Sequence, residues 1–163
     1  MIARFSRLIG GLNAVGTLLI LALMVLINAD VLGREVLGRP IRGVTEMVSL
    51  SIVAIVFLQI SHTLWVGRIT RNDALLSQLA RRLPACHRAL EATFHLVGAS
   101  LFALLAFSSW HNLDKAWAVH EYVGALGDFI LPTWPVRLII VVGSVVTSVA
   151  FLIRVFQPVE RSP

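Results

Sequence analysis

Four long apolar blocks constrain this chain more than any other feature. They lie at about 8–27, 44–66, 90–110 and 136–156. At 1.5 Å per residue, each is long enough to cross a hydrocarbon layer of roughly 30 Å. A backbone inside hydrocarbon must satisfy its own N–H and C=O groups, which leaves only helices and closed barrels. These runs are too long and too uniformly apolar to be barrel strands. Hydrophobic residues make up 57% of the chain and charged residues 14%, too little polar surface for a soluble domain of this size. The expected fold is all-α and integral to a membrane, with four transmembrane helices in a single membrane domain over 1–163. No repeat, low-complexity tract or linker divides it. Arg4 and Arg7 before the first block resemble a secretory signal. The run is long, however, and Ile27-Asn28-Ala29 is a poor cleavage site, so the block reads as a retained anchor.

Charge sets the expected orientation. With the N-terminus cytoplasmic, the inner side holds Arg4, Arg7, Arg68, Arg71, Arg81, Arg82, Arg88, Arg154 and Arg161. The outer side holds Arg34, Arg39, Arg42, Lys115 and Arg137, with most of the acids. The positive-inside trend therefore favours both termini in the cytoplasm. The net charge of +5 flanks the spans, so it reads as orientation and headgroup contact rather than as nucleic-acid binding. Between the second and third spans, Leu75, Leu76, Leu79 and Leu83 share one helical face. A short amphipathic helix at about 73–83 is expected there, capped by Asn72 or Asp73 and ended by Pro84. It lies either on the inner membrane surface or on the protein itself. Trp65, Trp110, Trp117, Tyr122 and Trp134 gather at span ends, as interfacial anchors do. The segment from Ala116 to Gly124 either continues the third helix outward or lies along the interface, and Pro132 and Pro135 set the turn into the fourth helix. Small residues mark packing seams at Ala99 and Ala103, Gly143 and Thr147, and Ser144 and Ser148. Those seams serve either packing within the chain or a partner subunit.

Chemistry inside the spans is scarce. No chain of carboxylates forms a proton relay, and no Gly/Pro break inside a span makes an ion site. A transport pathway confined to this polypeptide is not expected. Gln59 is the deepest strongly polar residue, and Arg137 and Arg154 are placed to snorkel from opposite ends of the fourth helix. Ser108, Ser109 and His111 lack an orienting acid and an oxyanion turn, so enzyme activity is not expected. The single Cys86 reads as a structural thiol. His62 and His95 fall at similar depth on the second and third helices, and two facing histidines can ligate haem iron. A haem-binding or structural anchor of a respiratory complex is thus the alternative reading. Local hydrogen bonding near the headgroups explains the same histidines. His111 and His120 form no ligand motif.

The junction between the first two blocks is the most patterned stretch. It reads Asn28-Ala-Asp-Val-Leu-Gly-Arg34, then Gly38-Arg-Pro-Ile-Arg-Gly-Val-Thr-Glu46. Glu46 sits in a first helical turn, where the macrodipole favours an acid, with Thr45 or Gly43 as cap. Arg34 and Glu46 share one side of the membrane, placed either to pair across the hairpin or to meet a partner. This pattern resembles the small membrane subunit of tripartite ATP-independent periplasmic (TRAP) transporters. That family ends its first helix with an Asn-Val-x-x-Arg-like motif, followed by a Pro-containing turn and a Glu opening the second helix. Asp30-Val-Leu-Gly-Arg34, Pro40 and Glu46 take those places, with Asp30 where Asn is more usual. The resemblance continues through Gly67-Arg-Ile-Thr-Arg-Asn-Asp73 and Leu131-Pro-Thr-Trp134. It implies a complex with a large multi-helix subunit and a periplasmic solute-binding protein. The large subunit would carry the substrate and sodium sites, for uptake of organic anions such as carboxylates. This subunit would be scaffold, with no cofactor of its own. The candidate structural and partner-interface residues are Asp30, Arg34, Pro40, Arg42, Glu46, Arg68, Asp73, Trp117, Tyr122, Pro132 and Trp134.

Overall fold

The computed structural model describes residues 2–67, 84–125 and 129–156. Its elements are α1 (Ile2–Leu37), α2 (Val44–Trp65), α3 (Pro84–Ala118), β1 (Tyr122–Ala125), β2 (Phe129–Pro132) and α4 (Trp134–Phe156). All four helices are long and apolar enough to cross a membrane. The segment expected to be amphipathic, at about 73–83, lies outside the described residues, as do Arg68 and Asp73.

Two helices run well past their apolar blocks. At 1.5 Å per residue, the 36 residues of α1 extend about 54 Å, beyond the thickness of the hydrocarbon layer. The local cause is the sequence after residue 27. It holds no proline before Pro40, and Arg34 pairs with Asp30 one turn back. Gly38, at φ 62°, adopts the left-handed conformation that closes a helix. Pro84 opens α3, because a first-turn residue has no intrahelical use for its missing N–H. Of the segment Ala116–Gly124, expected either to continue the third helix or to lie along the interface, only Ala116–Ala118 continue α3, and Tyr122 onward is a strand. Val119 and Glu121 N–H groups bond back to the Lys115 and Ala116 carbonyls, with His120 in the left-handed conformation between them.

A short antiparallel hairpin follows that the sequence reading did not anticipate. Its register runs from Tyr122 opposite Pro132 to Ala125 opposite Phe129. Each strand has four residues, too few for alternation to separate a strand from an interfacial turn. Pro132 ends β2, where a strand tolerates a missing donor.

Helix α4 is the hub of the bundle. Both α2 and α3 pack on it, and α1 packs on α2. Residue pairings give the directions. Gly16 of α1 faces Gln59 of α2, so those helices run antiparallel. Gly143 faces Phe57, and Arg154 reaches Trp65, so α4 runs parallel to α2. Ser148 bonds Ala99, and Arg137 bonds Asn112, so α3 runs against α4. One end therefore gathers the start of α1, the end of α2 and the end of α4. The other end gathers the α1–α2 connection and the α3–hairpin–α4 connection.

The core lies toward the first of these ends. Ile9, Leu64, Ala99, Val146, Ala150 and Phe151 draw on all four helices. The seam on α4 serves packing within the chain. A Cβ on Gly143 would overlap the Phe57 carbonyl. Thr147 returns its hydroxyl to the Gly143 carbonyl at 2.7 Å, and Ser148 donates to the Ala99 carbonyl at 2.9 Å. On α3, Ala99 is buried but Ala103 is exposed, so of that pair only Ala99 packs within the chain. A turn of nearly 400° over four residues takes Ala103 off the Ala99 line, and Ala106 is buried instead.

Candidate functional site

The α1–α2 junction is held by Asp30. Its carboxylate is buried, with 7% residue exposure, although it lies on the most polar stretch of α1. Oδ1 accepts the Ile41 N–H at 2.7 Å, and Oδ2 accepts Arg34 Nη2 at 2.9 Å. The Arg39 N–H bonds the Gly33 carbonyl at 3.2 Å. The chain after Leu37 thus folds back along the last turns of α1. A carboxylate has acceptor capacity for both donors, and each charge-assisted bond is stronger than a neutral one. The predicted clasp between Arg34 and Glu46 is not the one formed. Arg34 pairs one turn back on its own helix, where the i,i+4 spacing already presents Asp30. Glu46 lies half-buried in the first turn of α2. The cap residue of α2 is Gly43, at φ 76°, with no side-chain cap bond, which decides between the two expected caps. Pro40 and Arg42 are exposed on the connection.

The second polar cluster lies between α3 and α4. Arg137 Nη2 reaches both carboxylate oxygens of Glu121, at 2.7 and 2.8 Å. Its Nη1 donates to the Asn112 carbonyl at 3.0 Å. Thr133 donates to the Glu121 carbonyl through both its N–H and its hydroxyl. Trp117 and Trp134 meet edge to face with centroids 5.1 Å apart. Tyr122 and Pro132 are the paired first and last residues of the hairpin. The Phe129 ring occupies the space beside Gly43 that a Cβ would fill. The two connections, far apart in sequence, therefore form one continuous end of the molecule.

Two arginines expected to snorkel instead turn into the protein. Arg137 closes the cluster just described. At the other end, Arg154 lies over the Trp65 ring, 5.4 Å from its centroid, and donates to the Trp65 carbonyl at the C-terminus of α2. Helix-end carbonyls without intrahelical partners and a negative dipole end attract such a cation. Sequence reasoning counted Glu121, Arg137 and Arg154 as charges on a side. For Arg137 and Arg154 the one available signal was their position within a turn of a span end; Glu121 lies well inside the connection and carried none. His95 is buried against Phe94 and Phe151. Its helix and that of His62 pack on α4. Among the described residues, no three His, Cys, Asp or Glu side chains gather as a metal site.

The polar groups thus clasp helix ends and connections, and the apolar faces point outward. That combination defines a multi-pass membrane protein whose polar chemistry is structural. The chain belongs to the family of tripartite ATP-independent periplasmic transporters, DctQ component, which it matches over residues 23–161. It is the small permease subunit of such a transporter and not an enzyme. This decides against the respiratory-anchor alternative. No curated protein and no solved structure matches the chain.

Proposed function

We propose that this subunit is the fixed scaffold for a large multi-helix transport subunit. In this reading the large subunit carries out sodium-coupled uptake of organic anions, with carboxylates as the expected class. A periplasmic solute-binding protein delivers them to the end formed by the two connections. The family match carries the reading. Support comes from the outward apolar faces of the two flanking helices. Leu18, Leu21 and Val25 on α1, and Leu104 and Phe107 on α3, are exposed. Those faces suit contact with lipid or with another membrane subunit. The clasps at both ends suit a body that stays rigid while its partner moves.

The test is affinity purification of the tagged full chain from its native membrane, with transport measured in reconstituted vesicles. A large membrane subunit should co-purify, and vesicles lacking this chain should lose sodium-driven uptake. Uptake unchanged by its omission would overturn the scaffold role.

A further inference from the structure

A recess of about 340 Å³ opens beside the Arg137 cluster. It lies where α2 and α3 flank α4, under the hairpin. Leu50, Val53, Val136 and Ile140 form its apolar part. Ser109, Asn112, Glu121 and Arg137 form its polar part. The two charged groups are neither deeply buried nor fully exposed. The side chains of Arg137 and Glu121 are 27% and 43% accessible. Of the five N–H donors on a guanidinium, one on Nη1 serves Asn112 and Nη2 serves Glu121, which leaves Nε–H and the second Nη1 donor for a further acceptor. Glu121 likewise retains acceptor lone pairs.

We propose that this recess binds one zwitterionic phospholipid with a primary ammonium headgroup, of the phosphatidylethanolamine class. The phosphate would meet Arg137, and the ammonium would meet Glu121. An acyl chain would lie on Leu50, Val53 and Ile140. The adjacency of the two opposite charges selects the headgroup. An anion alone would meet the repulsion of Glu121, and a cation alone that of Arg137. A quaternary ammonium matches the charge but donates no hydrogen bond to the carboxylate. The apolar wall suits a tethered lipid over a free zwitterion, because an acyl chain packs against it in van der Waals contact while a free headgroup leaves it uncovered. The neighbouring Trp117 and Trp134 put the polar part at the depth where headgroups lie. The inference does not depend on the scaffold role.

The test uses the delipidated full chain in mild detergent. Phosphatidylethanolamine, phosphatidylcholine and phosphatidylglycerol of matched chains are titrated in turn. Native mass spectrometry counts bound lipid, and thermal melting reads stabilisation. One phosphatidylethanolamine should be retained at roughly tenfold lower concentration than either other lipid. Val53→Trp fills the apolar part without touching the charges and should abolish that retention at unchanged helicity. Glu121→Gln keeps an acceptor for Arg137 and should erase the preference over phosphatidylcholine. Equal retention of all three lipids, or retention undiminished in Val53→Trp, overturns the proposal. So does equal competition by soluble glycerophosphoethanolamine, which would make the site one for a free zwitterion.

Discussion

Asp30 shows how one side chain decides a connection. It anchors the returning chain through Ile41 and orients Arg34 at the same time. Asp30→Asn keeps an acceptor for Ile41 and loses only the ion pair. Because Arg34 is largely exposed, that loss should cost under about 1 kcal/mol. Asp30→Ala removes both interactions and should cost about 1–3 kcal/mol in denaturant unfolding of the full chain in detergent. Exchanging the charges of Arg34 and Glu46 together should give no rescue over the single variants, since those residues are not each other's partners. Rescue in the double variant would restore the cross-hairpin clasp that the sequence invited. His120 is a second local decision. It holds a left-handed backbone at φ 52°, where glycine is at ease and other residues are strained. His120→Gly should leave the helix end intact and raise the melting temperature. The gain should be about 1 kcal/mol. A lower melting temperature would mean that the imidazole contributes more than its backbone costs.

Between elements, close approach is set by small residues on α4. Gly143 lets α4 lie directly on the α2 backbone at Phe57, and Ser148 ties α4 to α3 at Ala99. Membrane helices gain little from hydrophobic exclusion against each other, so van der Waals fit and interhelical hydrogen bonds carry association. Gly143→Ala must push the helices apart, because the atom it meets is backbone and cannot rotate away. The expected cost is about 1–3 kcal/mol, with a longer α2–α4 distance between spin labels. A variant as stable as the parent, with that distance unchanged, would show that the contact is looser than drawn. Gly10 and Gly11 on α1 meet no such neighbour, and alanine there should be harmless or mildly favourable. Glycine pattern in the sequence did not separate these cases. What separates them is the position of a second helix, which periodicity on one helix does not specify.

At the scale of the whole molecule, the long α1 and α3 place two connections against one another at one end, joined at Gly43 and Phe129. The charge bias leads us to expect that end in the periplasm. Single cysteines at Glu35 and His120, in a chain carrying Cys86→Ser, should react with an impermeant maleimide added to intact spheroplasts. A cysteine at Arg7 should react only after the membrane is opened. The reverse pattern would invert the orientation and, with it, the face offered to a binding protein.

The sequence by itself determined the four long apolar helices and where their spans lie, because the cost of unsatisfied backbone in hydrocarbon admits no other use for such runs. It carried the family resemblance through the junction that ends at Glu46. Only the tertiary structure decided which charges meet. Asp30 and Glu46 are equally available to Arg34 on charge alone, and the fold chose by distance. It likewise drew Arg137 and Arg154 inward, since the carbonyls and carboxylate they bind come from other parts of the chain. Hydropathy is a property of each segment and is read locally. Partner choice between segments depends on how helices pack in three dimensions, and it becomes visible only once they do.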